Sequence, residues 1–271
     1  MDIDRSSASR ILSVREVPAA RFPAVRQPDW VERFPWLVQG TTTRRGDAAT
    51  GDFDLRLFGE RAPGGRVAER WDALLQWSGF SSVVHARQVH GARVRTHAGE
   101  DPTPARDAAT RPSSSRTPED CDGHVTGSPG LLLTVSIADC VPVFVVDPAA
   151  RRVALLHAGW RGAAGGILER GLAELPGTEG ASELFVHLGP SICGQCYEVG
   201  PEVFEALDLP RPGGPTPIDL RAVLAERAVK AGVEPSHVSV SERCTRCEGG
   251  VFFSHRGGDA GRQVAYLGIR G

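Results

Sequence analysis

Two residue types are almost missing from this chain of 271 residues. Lys230 is the only lysine, so a Walker-type lysine or a pyridoxal Schiff-base lysine at any other position is excluded. Met1 is the only methionine, and no two histidines are separated by a single residue. The blue-copper ligation of multicopper oxidases, which uses a cysteine, two histidines and often an axial methionine, is therefore poorly supported.

Long apolar runs and a strong net charge are also lacking. The formal charge is -2 and the pI is near 6.5, so the chain has no basic footprint typical of a nucleic-acid-binding protein. No stretch approaches the roughly 20 apolar residues of a membrane span, and the opening segment MDIDRSSASR contains no apolar signal core. We therefore expect a cytoplasmic protein, with no nucleic-acid, membrane or protein partner indicated.

Six cysteines are too few for a disulfide scaffold in a chain of this length. In a reducing compartment they act as thiols or as metal ligands. Four of them form two C-x-x-C pairs, Cys193 with Cys196 and Cys244 with Cys247. Four thiolates can build a structural zinc site, whereas the long segment between the pairs equally allows independent thiols.

Length and patterning indicate one domain of a mixed α/β (α+β) class at residues 29–271. Residues 1–28 lack periodicity and predict a flexible N-terminal lead-in, and residues 99–121, rich in proline, serine and charge, predict a mobile insertion. The patterns predict strands at 38–43, 82–94 (a strand or a hairpin), 131–137, 141–146, 153–156, 184–188, 237–240, 251–254 and 263–269, and helices at 65–79, 163–175, 201–207 and 220–231, the last capped by Asp219.

Cys140 and His157 lie at the ends of two apolar strands that are joined by a turn. Such uncharged runs suit strands buried on both faces, so the two side chains are expected to share a cleft. His90, from an earlier QVHG segment, offers a second imidazole. The three residues suit a zinc ion with an open fourth position. A nucleophilic pair of Cys140 and His157, or a buried cysteine with unrelated histidines, are the alternatives.

The segment HAGWRG (157–162) follows the second of these strands and opens a helix. Glycines that allow close approach of backbone N–H groups, a helix N-terminus and Arg161 are together typical of an anion site. A phosphate or phosphorylated substrate is one interpretation. A tight strand-to-helix turn with a solvated Arg161 is the other.

A set of motifs, in order along residues 38–269, resembles one known family. The motifs are RQVHG (87–91), DGHVT (122–126), ADCVPV (138–143), HAGWRG (157–162), LGPSICGQCYEVG (188–200), DLRA (219–222), and RCT (243–245) with FFSHR (252–256). They are similar to those of the YfiH family, also labelled polyphenol oxidase or laccase-domain proteins and now regarded as multi-activity purine nucleoside enzymes.

The resemblance implies a fold, a metal and an activity. The fold would resemble the catalytic domain of cytotoxic necrotizing factor, with a central β-sandwich of mixed sheets flanked by helices. A zinc ion, with copper disfavoured, would be bound by His90, Cys140 and His157. Family members phosphorolyse adenosine, inosine, guanosine and methylthioadenosine and deaminate adenosine, so the implied partners are a small-molecule nucleoside and phosphate.

The implied chemistry suggests roles for further residues. For deamination, the zinc would make a water acidic enough to attack C6 of the purine, with Asp139 as candidate proton carrier. For phosphorolysis, phosphate held by Arg44 and Arg161 would attack C1 of the ribose while the purine leaves. Gln88 and Ser191 are candidates for polar contacts with the substrate.

Three other functions remain open at the level of the sequence. A zinc amidase would use the same metal on an amide carbonyl of a peptidoglycan precursor, a UDP-muramoyl amino acid. A non-catalytic protein would hold a structural zinc at its C-x-x-C pairs. A copper polyphenol oxidase is the least favoured, because ligand types that it needs are missing.

Overall fold

The computed structural model describes residues 11–45, 52–57, 66–98, 115–116, 119–175 and 180–271. Within these ranges the chain forms two seven-stranded sheets, a two-stranded ribbon and six α-helices. The strands are β1 (Leu12–Val14), β2 (Val17–Pro18), β3 (Ala24–Arg26), β4 (Leu37–Thr42), β5 (Ser82–His85), β6 (Val94–His97), β7 (Ser115–Arg116), β8 (Gly123–Thr126), β9 (Leu131–Ile137), β10 (Val141–Asp147), β11 (Arg152–Ala158), β12 (Phe185–Leu188), β13 (Glu198–Val199), β14 (Thr216–Pro217), β15 (Val238–Ser241) and β16 (Gln263–Ile269). The helices are α1 (Pro28–Arg33), α2 (Arg66–Ser78), α3 (Trp160–Ala164), α4 (Ile167–Ala173), α5 (Pro201–Ala206) and α6 (Leu220–Lys230).

The first sheet has the strand order β1-β15-β12-β10-β11-β8-β6. Its centre is the antiparallel pair of β10 and β11, joined by a turn that begins at Asp147. The side chain of Asp147 accepts a hydrogen bond from the Ala150 N–H at 2.9 Å, which is typical of aspartate in a turn. All seven residues of β10 are buried, as the uncharged run at 141–146 predicted for that part of the strand.

The second sheet has the order β2-β3-β4-β16-β9-β5-β7. Strands β9 and β16 form its centre and pair antiparallel, with Tyr266 opposite Thr134. Both sheets are mixed, since β15 runs parallel to β1 and β12, and β5 runs parallel to β7 and β9.

The two sheets pack face to face around a shared apolar layer. Strand β9 alternates, so Leu131, Leu133 and Val135 point into this layer while Leu132 packs on the opposite side of the sheet. Phe144 and neighbouring residues of β10 and β11 fill the layer from the first sheet. This arrangement confirms the expected β-sandwich.

Helices cover the two outer faces of the sandwich. On the second sheet, α2 buries Val67, Trp71 and Leu74, whose spacing places them on one helix face. On the first sheet, α4 and α6 pack through residues that include Leu168 and Leu224. Asp219 caps α6 as predicted, because its carboxylate accepts a hydrogen bond from the Arg221 N–H. The mixed fold class with flanking helices is thus confirmed.

The predicted flexible lead-in is wrong from residue 11 onward. Strand β1 pairs with β15 of the first sheet, and β2 and β3 extend the second sheet. Buried Glu16 adds an anchor, since its carboxylate accepts hydrogen bonds from His187 and Ser241. Residues 1–10 lie outside the described residues. The lead-in prediction failed because pairing partners remote in sequence supply the order that local composition does not.

Three further predictions differ from the structure. The segment 82–94 is neither one strand nor a hairpin, because β5 ends in the second sheet and β6 belongs to the first. The segment 251–254 is not a strand: it leaves a turn at residue 251 and continues as irregular backbone, where Asp259 accepts the Ser254 N–H at 3.0 Å. The helix predicted at 163–175 is divided into α3 and α4, since Gly166 has φ = 79°.

Most of the predicted insertion at 99–121 lies outside the described residues. Its described parts are ordered: Ser115–Arg116 form β7 beside β5, and Cys121 is fully buried. No helix of the described ranges is long and apolar enough to cross a membrane.

Candidate metal centre

His90, Cys140 and His157 meet where β10 begins and β11 ends. His90 comes from the loop after β5, Cys140 from the turn before β10, and His157 from β11 itself. The Cys140 sulfur and one nitrogen of each histidine all lie within 4.8 Å of one another. Pro142 pairs with His157, so the antiparallel register brings Cys140 beside this imidazole. We call these residues the three-residue cluster.

The backbone around this cluster is unusual at two positions. His90 has φ = 59° and Asp139 has φ = 88°, in the left-handed region that residues with a side chain rarely adopt. Such conformations persist only where neighbouring contacts hold them, and they concentrate at functional sites. Gly159 then leaves the necessary space, because a Cβ there would lie 3.0 Å from the Cys140 sulfur and 3.2 Å from His90 Cδ2.

Asp122 organises two of the three cluster residues. Its fully buried carboxylate accepts the backbone N–H groups of Val89, His90 and Gly91, which fixes the loop that carries His90. The same carboxylate lies 2.9 Å from His157 Nδ1. This contact favours a proton on Nδ1 and leaves Nε2 as the ligand atom, as a carboxylate behind a metal-binding histidine does.

The cluster is strongly polarised by its own charges. Burial alone would raise the pKa of Cys140, but His157 and hydrogen bonds from both histidines lower it to about 6. Burial would lower the pKa of His157, but the Cys140 thiolate and Asp122 raise it to about 9. Burial opposes ionisation of Asp122 as well, yet His157 and the N–H donors hold its pKa below the usual value. Between pH 6 and 9 the metal-free pair is therefore a thiolate beside an imidazolium.

The donor set fits a zinc ion. One thiolate and two imidazoles are typical ligands of a catalytic zinc, and a carboxylate behind one imidazole completes the usual arrangement. Tetrahedral ligands at roughly 2.0–2.3 Å from zinc lie about 3.3–3.8 Å apart, so atoms within 4.8 Å of one another need only small shifts to share an ion.

Two pockets adjoin the cluster, with volumes of about 280 and about 290 Å³. They share His90, Ala138, Cys140 and His255. The first pocket, which we call the arginine pocket, is further lined by Arg56, Arg87, Gln88, Ser136, His157 and Arg262. The second, the aromatic pocket, is further lined by Asp139, Gly159, Trp160, Arg161, Ile192, Tyr197, Leu220 and Arg256.

Two of the predicted substrate contacts line a pocket. Arg161 lines the aromatic pocket, with its guanidinium carbon 4.3 Å from the centre of the Trp160 ring. Gln88 lines the arginine pocket, but its amide donates to Ser136 O at 2.8 Å and accepts the Ser136 N–H at 2.7 Å. The Gln88 amide thus ties the His90 loop to the end of β9.

Two other predicted contacts lie outside the linings of both pockets. Arg44 is held by Asp52 and Asp259, at 3.0 and 2.9 Å, because its loop packs against the 249–259 segment. Ser191 is fully buried, and its hydroxyl has no hydrogen-bond partner among the described residues. Neither residue therefore lines a pocket beside the three-residue cluster, and their roles as substrate contacts stay predictions.

Asp139 lies in the aromatic pocket, but its carboxylate is engaged by the protein. One oxygen accepts a hydrogen bond from Thr245 Oγ1 at 2.6 Å and the other accepts the Arg256 N–H at 2.7 Å. These contacts tie two loops to the residue that precedes Cys140. They favour a positioning role over the predicted role as proton carrier.

Several residues that line the pockets had no role in the sequence interpretation: Arg56, Arg262, His255, Trp160 and Tyr197. His255 lines both pockets, and its FFSHR motif was a usable signal. Burial and the nearby Arg56 guanidinium lower the pKa of Arg262. A pocket wall that carries three arginines favours an anion there, although Asp54 already pairs with Arg56 at 3.3 Å.

A model of one protein family matches residues 38–270, and its description is "Multi-copper polyphenol oxidoreductase laccase". The chain belongs to this family. The match confirms the resemblance to laccase-domain (YfiH) proteins that the motifs indicated. It covers the three-residue cluster and the central strands of both sheets, but not β1, β2 and β3.

Relatives in the laccase-domain family carry purine-related names. The chain is 36% identical over 258 residues to "Purine nucleoside phosphorylase YlmD" of Geobacillus stearothermophilus, covering 88% of this chain and 92% of that protein. The crystal structure of that YlmD superposes with a TM-score of 0.82, covering 95% and 100% of the two chains at 33% identity. "Adenosine deaminase RL5", from an unknown prokaryotic organism, is 40% identical over 151 residues, which cover 51% of this chain and 57% of RL5. A Bacillus licheniformis protein named YfiH matches with a TM-score of 0.80 and 25% identity, covering 93% and 98%.

Proposed function

We propose that this protein is a zinc-dependent purine nucleoside enzyme. It phosphorolyses adenosine, inosine, guanosine and methylthioadenosine to the free base and ribose 1-phosphate, and it deaminates adenosine hydrolytically. The observation that carries the proposal is the three-residue cluster, which lies between an arginine pocket and an aromatic pocket. The names of the phosphorylase and deaminase relatives support the same substrate class.

His90, Cys140 and His157 would hold the zinc. When bound, the ion supplies Lewis acidity and eases the deprotonation of water. Asp122 keeps the His157 ring oriented, and its negative charge stabilises positive charge on the buried His157 imidazole. Gln88 and Asp139 hold the two loops that present His90 and Cys140.

The two pockets suit different parts of a nucleoside reaction. The purine base lies in the aromatic pocket against Trp160 and Tyr197, since flat rings pack well on aromatic side chains. Phosphate lies in the arginine pocket, where its charge relieves the repulsion between Arg56 and Arg262. The ribose then lies between them, beside His255.

The bond changes follow from this placement. In phosphorolysis, a phosphate oxygen attacks C1 of the ribose, the bond from C1 to the purine breaks, and the departing purine nitrogen takes a proton. His255 is the candidate donor because it lines both pockets. In deamination, water adds at C6 of the purine and ammonia leaves, so phosphate is not consumed.

A product assay on zinc-loaded protein tests the proposal. With adenosine alone, inosine is expected. With adenosine and phosphate, adenine, hypoxanthine and ribose 1-phosphate are expected as well. Cys140→Ala is expected to lower both activities to below roughly 1% of wild type, because a metal ligand is removed.

Cys121→Ala is the matched control, because Cys121 is buried outside the three-residue cluster. It is expected to keep both activities. Unchanged nucleoside turnover in Cys140→Ala, or no turnover by the zinc-loaded wild type, contradicts the proposal.

We propose zinc rather than copper for this site. The only methionine is Met1, so the long axial methionine that often completes a blue-copper site has no source elsewhere in the chain. Metal analysis with nucleoside and phenol assays tests the choice. Phenol oxidation that requires copper, without nucleoside turnover, contradicts it.

A further inference from the structure

The two C-x-x-C pairs converge although 47 residues separate them in the chain, between Cys196 and Cys244. Cys193 and Cys196 lie in the loop after β12, where residues 194–196 form a short 3-10 turn. Cys244 and Cys247 lie in the loop after β15, and Cys244 pairs with Ser191 in an isolated parallel bridge. The four sulfurs all lie within 4.8 Å of one another. We call them the four-cysteine cluster.

The spacing of these sulfurs fits a tetrahedral metal better than disulfide bonds. Four sulfurs at ~2.3 Å from a zinc ion would lie about 3.8 Å apart. The Cys196 and Cys247 sulfurs are 3.4 Å apart, and every other pair lies within 4.8 Å. A disulfide needs about 2.05 Å, and all four cysteines are free thiols.

The backbone around Cys244 also suits a bound cation. The N–H groups of Cys193 and Cys247 point at the Cys244 sulfur, at 3.3 and 3.4 Å. Such donors stabilise negative charge on sulfur, as required of a metal-bound thiolate. Arg246 adds a positive charge next to the cluster and donates to Cys196 O at 3.2 Å.

We propose that the four cysteines bind a second, structural zinc ion. Four thiolates fill the coordination sphere, so this site has no open position for substrate or water. The ion is distinct from the one assigned to the three-residue cluster, and the proposal does not depend on nucleoside turnover.

The ion joins the loop after β12 to the loop after β15, and both loops support the aromatic pocket. Ile192 donates its N–H to Asp139 O at 3.1 Å, and Thr245 donates to the Asp139 carboxylate at 2.6 Å. Asp139 directly precedes Cys140. Zinc at the four-cysteine cluster therefore positions the wall from which the Cys140 sulfur projects, without touching the substrate.

Elemental analysis of the full chain, purified with zinc under reducing conditions, tests the proposal. Wild type is expected to hold about two zinc ions per chain. Cys140→Ala and Cys247→Ala are each expected to hold about one, and Cys121→Ala about two, because Cys121 belongs to neither cluster. X-ray absorption of the zinc kept by Cys140→Ala is expected to show sulfur ligands alone at ~2.3 Å.

Cys247→His separates loss of a ligand from loss of the fold. Cys247 is exposed, so a substitution there is tolerated by packing, and histidine is itself a zinc ligand. Cys247→His is expected to keep about two zinc ions while Cys247→Ala loses one. Zinc missing from Cys140→Ala, zinc unchanged in Cys247→Ala, or disulfides among the four cysteines in air-free wild type would each overturn the proposal.

Discussion

The three-residue cluster contributes His90 and Cys140 to the lining of the aromatic pocket, whereas the four-cysteine cluster lies in loops of which one contributes Ile192 and Tyr197 to the same lining. All members of the three-residue cluster line a pocket, whereas no member of the four-cysteine cluster lines the arginine or the aromatic pocket. A zinc with an open position can act on a substrate, and a zinc enclosed by four thiolates cannot. Pocket access and ligand number, more than ligand type, thus separate the two proposed roles.

The two clusters are linked through Asp139. Its backbone leads into Cys140, while its carboxylate is bound by Thr245, the residue after Cys244. Perturbations confined to one cluster therefore test whether the functional difference is real.

The largest difference between the clusters is expected for Asp122→Asn. Only the three-residue cluster depends on this carboxylate, through His157 and the N–H of His90. Loss of such a carboxylate typically weakens zinc binding about 10–100-fold. Competition with a chelator measures the change. Zinc binding at the three-residue cluster should weaken, while zinc at the four-cysteine cluster should stay bound.

Asp120→Asn is the matched control, because Asp120 lies two residues away and pairs with the exposed Arg87. It should leave both zinc affinities unchanged. Equal weakening of both sites in Asp122→Asn would show that this carboxylate supports the fold rather than one metal site.

The second largest difference is expected in the thiol reactivity of the metal-free protein, between Cys140 of the three-residue cluster and Cys247 of the four-cysteine cluster. The pKa of Cys140 is about 6, whereas hydrogen bonds with the Cys196 and Cys244 sulfurs raise the pKa of Cys247 to about 12. Iodoacetamide reacts with thiolates, so at pH 7.5 it should modify Cys140 at least about tenfold faster than Cys247. This holds although a thiolate with a low pKa is intrinsically less reactive than one with a high pKa.

The rate at Cys140 should rise with pH through about 6 and then level off, because the thiolate predominates above its pKa. Peptide mass spectrometry after a timed reaction measures each site. A rate at Cys140 that keeps rising above pH 8 would contradict the thiolate–imidazolium pair.

A third prediction concerns the arginine pocket. Arg262→Gln should raise the KM for phosphate about tenfold, the usual effect of losing one charged hydrogen bond. Deamination should change little, because it consumes no phosphate. Arg44→Gln is the comparison, since Arg44 is held by Asp52 and Asp259 outside both pockets. The opposite pattern would restore Arg44 as the phosphate ligand.

The smallest effect is expected for Gly159→Ala. The new Cβ would lie 3.0 Å from the Cys140 sulfur, so the sulfur must move by a few tenths of an ångström. We expect zinc binding to weaken only a few-fold at the three-residue cluster and to stay unchanged at the four-cysteine cluster. Gly214→Ala, where a Cβ meets nothing within 4 Å, is the control.

Local sequence predicted the parts of the fold that depend on local physics. Strands β9 and β16 have the predicted bounds, and α2 and α6 follow their predicted spacing and cap. The flexible lead-in was a wrong prediction, because β1 pairs with β15, a strand remote in sequence. The strand predicted at 251–254 was also wrong, because this segment belongs to a loop in which Asp259 accepts the Ser254 N–H.

The sequence by itself determined the donor types of both clusters, since C-x-x-C pairs and the QVHG, ADC and HAGWRG motifs carry their own chemistry. Only the tertiary structure decided which donors meet and what faces them. Sheet order brings Asp122 to His157 and Cys193 to Cys244, and it directs Arg262 rather than Arg44 to a pocket. Contacts between residues distant in the chain depend on which strands become neighbours in a sheet, and the pattern of a single strand does not specify its neighbours.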